Sequence, residues 1–163
     1  MISTSCAIPK SSKNEVRYSL DANQLEFIEW EPSSDFSNII LKVHGYNDYS
    51  NSFDLSGKYF ANHGIKSMSF DLNGFGRNAN KGEWFGLELH IKNIAKIIKK
   101  IKKNNPEKKI FLMGESMGGA ITISLLEKQK EIPIEGVVLV APAIWNFTET
   151  NFFKSLPLKL MSK

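Results

Sequence analysis

Residues Lys109 to Gln129 read KIFLMGESMGGAITISLLEKQ, and this stretch decides the fold. Lys109 to Met113 is an apolar run of strand length, and Met117 to Lys128 is long enough for a helix. Between them stands Gly114-Glu115-Ser116-Met117-Gly118, a Gly-x-Ser-x-Gly that leaves no residues for a loop. A strand turning directly into a helix forces the serine into a strained conformation with its hydroxyl projecting above the sheet. Glycine at Gly114 and Gly118 lets neighbouring backbone pass that close. Ser116 then sits at a helix N-terminus, where orphan N–H groups and the helix dipole favour developing negative charge. The amide of Met117 would point at the oxyanion of a tetrahedral intermediate. A serine at this place also caps helices. Capping, however, asks for glycine on neither side.

Outward from this turn, strands and helices alternate. Asn38 to Val43 (NIILKV) is a nearly continuous apolar run that ends at His44-Gly45, as expected of a strand covered on both faces. A helix is expected from Phe53 to Asn62, stopped by Gly64, then a strand from Ile65 to Phe70 ending at Asp71 and a Gly-rich turn. A lysine-bearing amphipathic helix follows, with Leu87, Ile91, Ile94, Ile98 and Ile101 on one stripe. Ile134 to Ala141 is a last strand, closed by Pro142. Before all of these, Glu15 to Leu20 and Leu25 to Trp30 form strand-like runs around Asp21-Ala22-Asn23, a hairpin-like turn. The pattern is α/β: a mostly parallel sheet with helices on both faces and antiparallel strands at the N-terminal side. In such sheets chemistry sits at the carboxyl ends of the strands. Those ends are His44 to Asn47, Asp71 to Arg77 and Gly114 to Gly119.

Composition narrows the function classes. Of 163 residues, 42% are apolar and 23% charged, ordinary globular usage that excludes disorder and a disulfide scaffold. The single cysteine, Cys6, cannot form an internal bridge. No apolar run approaches the ~20 residues that cross a bilayer, and Met1 to Lys10 has no apolar signal core, so a cytoplasmic location is expected. Eight of the 21 Lys and Arg residues behind the net charge of +4 lie between Lys92 and Lys109. No aromatic or arginine interleaves them as a nucleic-acid surface wants, so they read as a solvated helix face. Gly74-Phe75-Gly76-Arg77-Asn78-Ala79 fits a dinucleotide fingerprint, but Lys81-Gly82 interrupts the helix that it should open. No phosphate loop or metal-ligand cluster is present, so no cofactor and no metal are implied.

Several of these stretches together resemble the monoacylglycerol lipase and lysophospholipase branch of the α/β-hydrolases, which is grouped with the serine aminopeptidases. The matching residues are Leu25 to Pro32 (LEFIEWEP), His44-Gly45-Tyr46, Asp71-Leu72-Asn73-Gly74-Phe75-Gly76-Arg77, Gly114 to Ala120 (GESMGGA) and Val137 to Pro142 (VVLVAP). The resemblance implies Ser116 as nucleophile and the backbone amides of Tyr46 and Met117 as the oxyanion hole. It implies support of elbow and loop by His44, Gly45, Gly114, Gly118 and Gly119, with His44 shaping its loop rather than moving protons. It also implies acyl ester or lipid substrates and is compatible with peripheral membrane contact. Phe75 and Asn78 depart from the His and Ser that this family often carries there. His63, before Gly64, is expected to cap a helix end, and His90 to be structural or exposed.

In this fold the triad runs Ser, then Asp or Glu, then His. After Ser116 the chain has four glutamates (Glu127, Glu131, Glu135 and Glu149) but no aspartate and no histidine. The expectation is therefore an N-terminal part of a hydrolase domain. Residues 1–12 would be a loose segment, 13–145 the domain part, and 146–163 the start of a cap, with the C-terminal strands absent. The last strand would be left as an apolar edge. The alternative function is a non-catalytic fragment that pairs with another chain along that edge.

Overall fold

A computed structural model describes residues 12–20, 23–78 and 81–144. The expected loose N-terminal segment with Cys6, the Asp21-Ala22 turn and the cap segment 146–163 lie outside the described residues. The elements are β1 (Ser12–Leu20), β2 (Asn23–Glu31), β3 (Asn38–Val43), α1 (Asp54–Asn62), β4 (Lys66–Phe70), α2 (Leu87–Asn104), β5 (Lys109–Glu115), α3 (Met117–Lys128) and β6 (Gly136–Val140). A 3-10 turn over Ser50–Phe53 precedes α1, where the sequence suggested that Phe53 already opens the helix. Ser12 is already the first residue of β1, opposite Glu31, because the strand runs the full length of its partner. The last strand is shorter than Ile134 to Ala141: Ala141 turns out of it with φ +42°.

The sheet order is β1-β2-β4-β3-β5-β6. β1, β2 and β4 pair antiparallel, whereas β4, β3, β5 and β6 run parallel. From β3 the chain steps to β4 on one side through α1, then crosses to β5 on the other through α2, and on to β6 through α3. A reversal of direction keeps right-handed crossovers only if the connecting helix changes face. Accordingly α1 packs with the small cluster of Ile28, Trp30, Phe53 and Ala61 on one face. On the other face α2 and α3 touch each other and cover the main core, in which Ile39, Leu41 and Val43 of β3 meet Phe70, Ile98 and Leu112. The point where the order reverses is the carboxyl end of β3, between β4 and β5. In open α/β sheets that is where ligands bind.

Among the described residues β6 is the edge of the sheet, and Val138, Leu139 and Val140 on it are exposed. No helix among the described residues is long and apolar enough to cross a membrane.

Alternation along β3 turns Lys42 away from the main core and toward α1, and none of its surface reaches solvent. Its Nζ lies 4.1 Å from the Trp30 ring centroid, 5.2 Å from that of Phe53 and 5.8 Å from that of Phe60. Its hydrogen bond is a 3.4 Å donation to the Phe53 carbonyl. Aromatic faces attract an ammonium, but burial outweighs them and pushes the Lys42 pKa down to about 7, against a smaller upward pull from Asp54. An unfolded lysine titrates near 10.5, so between these values the unfolded chain binds more protons and stability rises with pH. The full cost of the buried charge is felt below about pH 7. Lys42→Met, of similar volume, is expected to stabilise the fold by about 1–4 kcal/mol at pH 6. That gain should shrink as pH rises toward 10. Thermal melts of both chains across this range check it, and a gain independent of pH would contradict the lowered pKa of Lys42.

Candidate active site

β5 ends at Glu115 and α3 begins at Met117, so Ser116 alone makes the turn, at φ +49° and ψ −115°. This is a left-handed conformation that non-glycine residues adopt only when their surroundings enforce it. Ser116 occupies the N-cap position but makes no side-chain capping hydrogen bond, so its hydroxyl is not used to finish the helix. The backbone is held instead. The Ser116 amide donates to the Val140 carbonyl (3.0 Å), and its own carbonyl accepts from Ala120 (3.2 Å) and Ala143 (2.9 Å).

The glycines around it answer to contacts. A Cβ on Gly118 would lie 2.3 Å from the Val43 carbonyl oxygen, so α3 rests directly on the end of β3. A Cβ on Gly114 would meet the Gly118 carbonyl at 2.6 Å, and one on Gly119 would meet Pro142 at 2.8 Å. A Cβ on Gly45 would come within 3.3 Å of Ser116 Cβ and 3.8 Å of its Oγ, so the loop after β3 passes against the serine. The amides of Tyr46 and Met117, which flank this contact, donate to no acceptor among the described residues.

His44 is fully buried, and both ring nitrogens are committed. Nε2 accepts the Leu72 amide at 3.0 Å, which leaves the proton on Nδ1 to be donated to the Gly45 carbonyl at 2.8 Å. Burial lowers its pKa, against smaller upward pulls from the Gly45 carbonyl, Asp71 and Asp48. A neutral imidazole with both nitrogens engaged has no free site for a proton. It ties the loop of Gly45 and Tyr46 to the turn after β4.

Asp71 is the second tie, and its side chain was missed in the sequence. Its buried carboxylate accepts the amides of Ser50 (2.7 Å) and Arg77 (2.8 Å), with Arg77 Nε at 3.5 Å. Gly76 has φ +62°, and a Cβ there would fall 2.3 Å from that carboxylate. Asn78 donates to the carbonyls of Asp71 (2.5 Å) and Leu72 (3.2 Å), which gives this departure from the family pattern a structural role. Phe75, the other departure, is buried with its ring edge-on to His44 and Tyr46, both at 5.7 Å. A strand-terminal aspartate before a Gly-rich turn was the one available signal for this hub.

The other histidines stand apart. His63 caps α1, donating from Nδ1 to the Tyr59 carbonyl at 2.8 Å, and is exposed. His90 is buried rather than exposed, 4.9 Å from the Trp84 ring, with Nε2 unpartnered among the described residues. Burial, then the nearby His44, push its pKa down to about 4. Among the described residues no histidine or carboxylate hydrogen-bonds to the Ser116 hydroxyl, and no cluster could hold a metal ion. Beside Tyr46 opens a cleft of about 600 Å³, bounded by the loop after β3 and by residues 74–76 and 81–84.

Comparison with known proteins agrees with this geometry. A family model described as serine aminopeptidase, S33, matches residues 35–163. Monoglyceride lipase of Mus musculus is 26% identical over 137 residues, covering 82% of this chain and 44% of its own length. A monoglyceride lipase homolog of monkeypox virus is 26% identical over 107 residues, 65% of this chain and 39% of its own. The chain thus spans less than half the length of the curated relatives it matches. Among solved structures, a soluble variant of monoglyceride lipase from Saccharomyces cerevisiae superposes with a TM-score of 0.79 at 17% identity, covering 95% of this chain and 53% of that one. A carboxyl esterase from Bacillus coagulans gives 0.69 at 20% identity, covering 78% and 44%. The fold is that of the α/β-hydrolases.

Strain at Ser116 and close approach at Gly118 predict opposite mutational effects. Ser116→Gly should raise stability by about 1 kcal/mol through relief of the positive φ. Gly118→Ala should lower it by about 1–3 kcal/mol, because the added methyl meets backbone that cannot yield. Urea unfolding of the two variants measures both, and a destabilised Ser116→Gly would contradict a strained turn.

Proposed function

The chain belongs to the serine aminopeptidase, S33, family of α/β-hydrolases, and from that premise we propose that it carries the nucleophile half of a serine-dependent carboxylic ester hydrolase. Its substrates are monoacylglycerol- or lysophospholipid-like esters. The observation that carries this reading is the uncapped Ser116 hydroxyl, held at φ +49° where strand meets helix and against Gly45.

Ser116 Oγ attacks the acyl carbon and loses its proton to a base. The carbonyl oxygen becomes an oxyanion, which the amides of Tyr46 and Met117 and the N-terminal end of α3 stabilise. Collapse breaks the ester C–O bond, and the alcohol leaves with the proton from the base. Water then gives a proton to the base and attacks the acyl-serine, and this second tetrahedral intermediate collapses as the proton returns to Ser116 Oγ, which releases the fatty acid. Met117 supplies its amide because it is the first residue of α3, and Tyr46 because His44 and Asp71 hold its loop.

No histidine of this chain is placed to serve as that base: His44 has both nitrogens engaged, His90 is buried, and His63 ends α1 before the amino end of β4, away from the carboxyl ends of the strands. Base and orienting acid are therefore assigned to residues outside these 163, in keeping with the share of the relatives' length that the chain spans. Loss of the serine–histidine unit costs about 10⁶ in kcat, roughly 8 kcal/mol. The 163-residue chain should then react with a fluorophosphonate probe orders of magnitude more slowly than a longer product of the same gene that carries the base. In the longer protein Ser116→Ala should abolish labelling. Rapid labelling of the 163-residue chain would refute the assignment of the base elsewhere. Labelling that survives Ser116→Ala would refute the nucleophile. The exposed β6 edge favours a second reading, a pairing module without catalysis. It gains if neither protein is labelled.

A further inference from the structure

We infer that Lys42 is a positioning residue for the oxyanion loop: its ammonium joins the two ends of that loop, and the charge on it sets how firmly the Tyr46 amide is held. The inference rests on the ester-hydrolase reading and adds to it a residue that is fully buried.

The loop leaves β3 after Val43 and runs into the 3-10 turn at Ser50–Phe53. His44 and Asp71 tie it to the turn after β4. Lys42 instead ties its two ends to each other. From the residue before Val43, Nζ reaches the Phe53 carbonyl at 3.4 Å, an acceptor that it shares with the Ser56 hydroxyl at 3.2 Å. The rings of Trp30, Phe53 and Phe60 surround the ammonium, so Phe53 holds Lys42 both through its carbonyl and through its ring. The other end of the clasp is fixed. Lys42 pairs in parallel register with Ser69 of β4 and Met113 of β5, and its carbonyl accepts the Ser69 hydroxyl at 3.0 Å.

An ammonium in such a place costs stability, and an apolar side chain of similar volume removes the cost. A residue that breaks the packing rule without a stabilising return is expected where function asks for it. The function within reach is the loop. A reacting group misplaced by about 1 Å costs up to about 10²-fold in rate, and the Tyr46 amide belongs to the span that Lys42 closes. Charge matters because aromatic faces attract an ammonium and not a neutral amine. With the Lys42 pKa at about 7, the grip on Phe53 weakens as pH rises through neutrality. The charged groups around Lys42 do not replace it. On α1, Asp54 already accepts Trp30 Nε1 at 3.1 Å and Lys58 Nζ at 2.6 Å. On the neighbouring strands Trp30, Ser67, Ser69 and Met113 carry no charge, and Glu115 follows Met113 by two residues on β5.

In the longer product of the gene, Lys42→Met should slow fluorophosphonate labelling of Ser116 about fivefold or more at pH 6, although the same substitution raises thermal stability there. A lysine that only filled space would leave the labelling rate unchanged. The ratio of parent to variant rate, in which the titration of the base cancels, should shrink by pH 9. Ile40→Val, on the same face of β3 and outside the clasp, should stay within about twofold of the parent. In the 163-residue chain, the amide NMR signals of Tyr46, Ser50 and Phe53 should shift together near pH 7 and lose that step in Lys42→Met. Equal labelling rates at pH 6, or loop amides without a step that depends on Lys42, would overturn the proposal. A rate ratio independent of pH would overturn the part assigned to the charge. The amide signals need no reactive serine, so failure of the clasp and failure of the nucleophile are read separately.

Discussion

The first turn of α3 rests on the carbonyl groups that end β3, with no side chain between them. A methyl group on Gly118 would fall 2.3 Å from one of those carbonyls and 2.6 Å from the next. That contact dictates how the chain leaves β5. A helix this close to the sheet must begin within one residue of the strand, and a single residue can make the turn only in a left-handed conformation. Ser116 carries that conformation. The strain of the serine, the glycines around it and the exposure of the α3 N-terminus to the loop after β3 are thus consequences of one close approach.

A second constraint acts from the opposite side of the turn. The loop that passes Ser116 contains no regular structure until the 3-10 turn at Ser50, so its shape depends on side chains. His44 anchors its start through the Leu72 amide, and Asp71 anchors its end through the Ser50 amide. Both anchors lead into the turn after β4, which Asn78 and Gly76 close from the other end. Buried polar groups are affordable only when satisfied, and the two nitrogens of His44 and both oxygens of Asp71 are. The same satisfaction removes His44 from proton transfer. A histidine in the loop that passes Ser116 invites a catalytic role, yet its pairing and its lowered pKa make it a fixed neutral strut.

Most of the fold was legible because it depends on period and punctuation. Apolar runs closed by punctuating residues located the parallel strands within one or two residues. The serine turn was legible for the same reason: its meaning lies in spacing. What escaped was everything that joins residues far apart in the chain. NIILKV reads as a strand covered by apolar groups on both faces, and Lys42 within it looks like a flaw. Its partners, Trp30 and Phe60, stand on another strand and on α1, and only the fold brings them together. Asp71 looked like the end of a strand, not a hub for Ser50 and Arg77. His90, three residues after Leu87 and four before Ile94, shares the spacing of the apolar stripe, but its contact with Trp84 of the preceding loop is visible only in the fold.

The costly features are not scattered. The buried Lys42, the buried His44 and the contacts that strain Ser116 all involve β3 or the groups that touch its end. β3 has parallel neighbours on both sides, β4 and β5, and helices over both faces. Strain and buried polarity persist only where surrounding structure over-determines a position. An edge strand such as β6, with one neighbour and exposed side chains, could relax around such groups rather than hold them. The loop of Gly45 and Tyr46 thus leaves a strand that is held at both edges and on both faces. The sheet reverses its order there, which opens the crevice, and neighbours on both sides hold the crevice in shape.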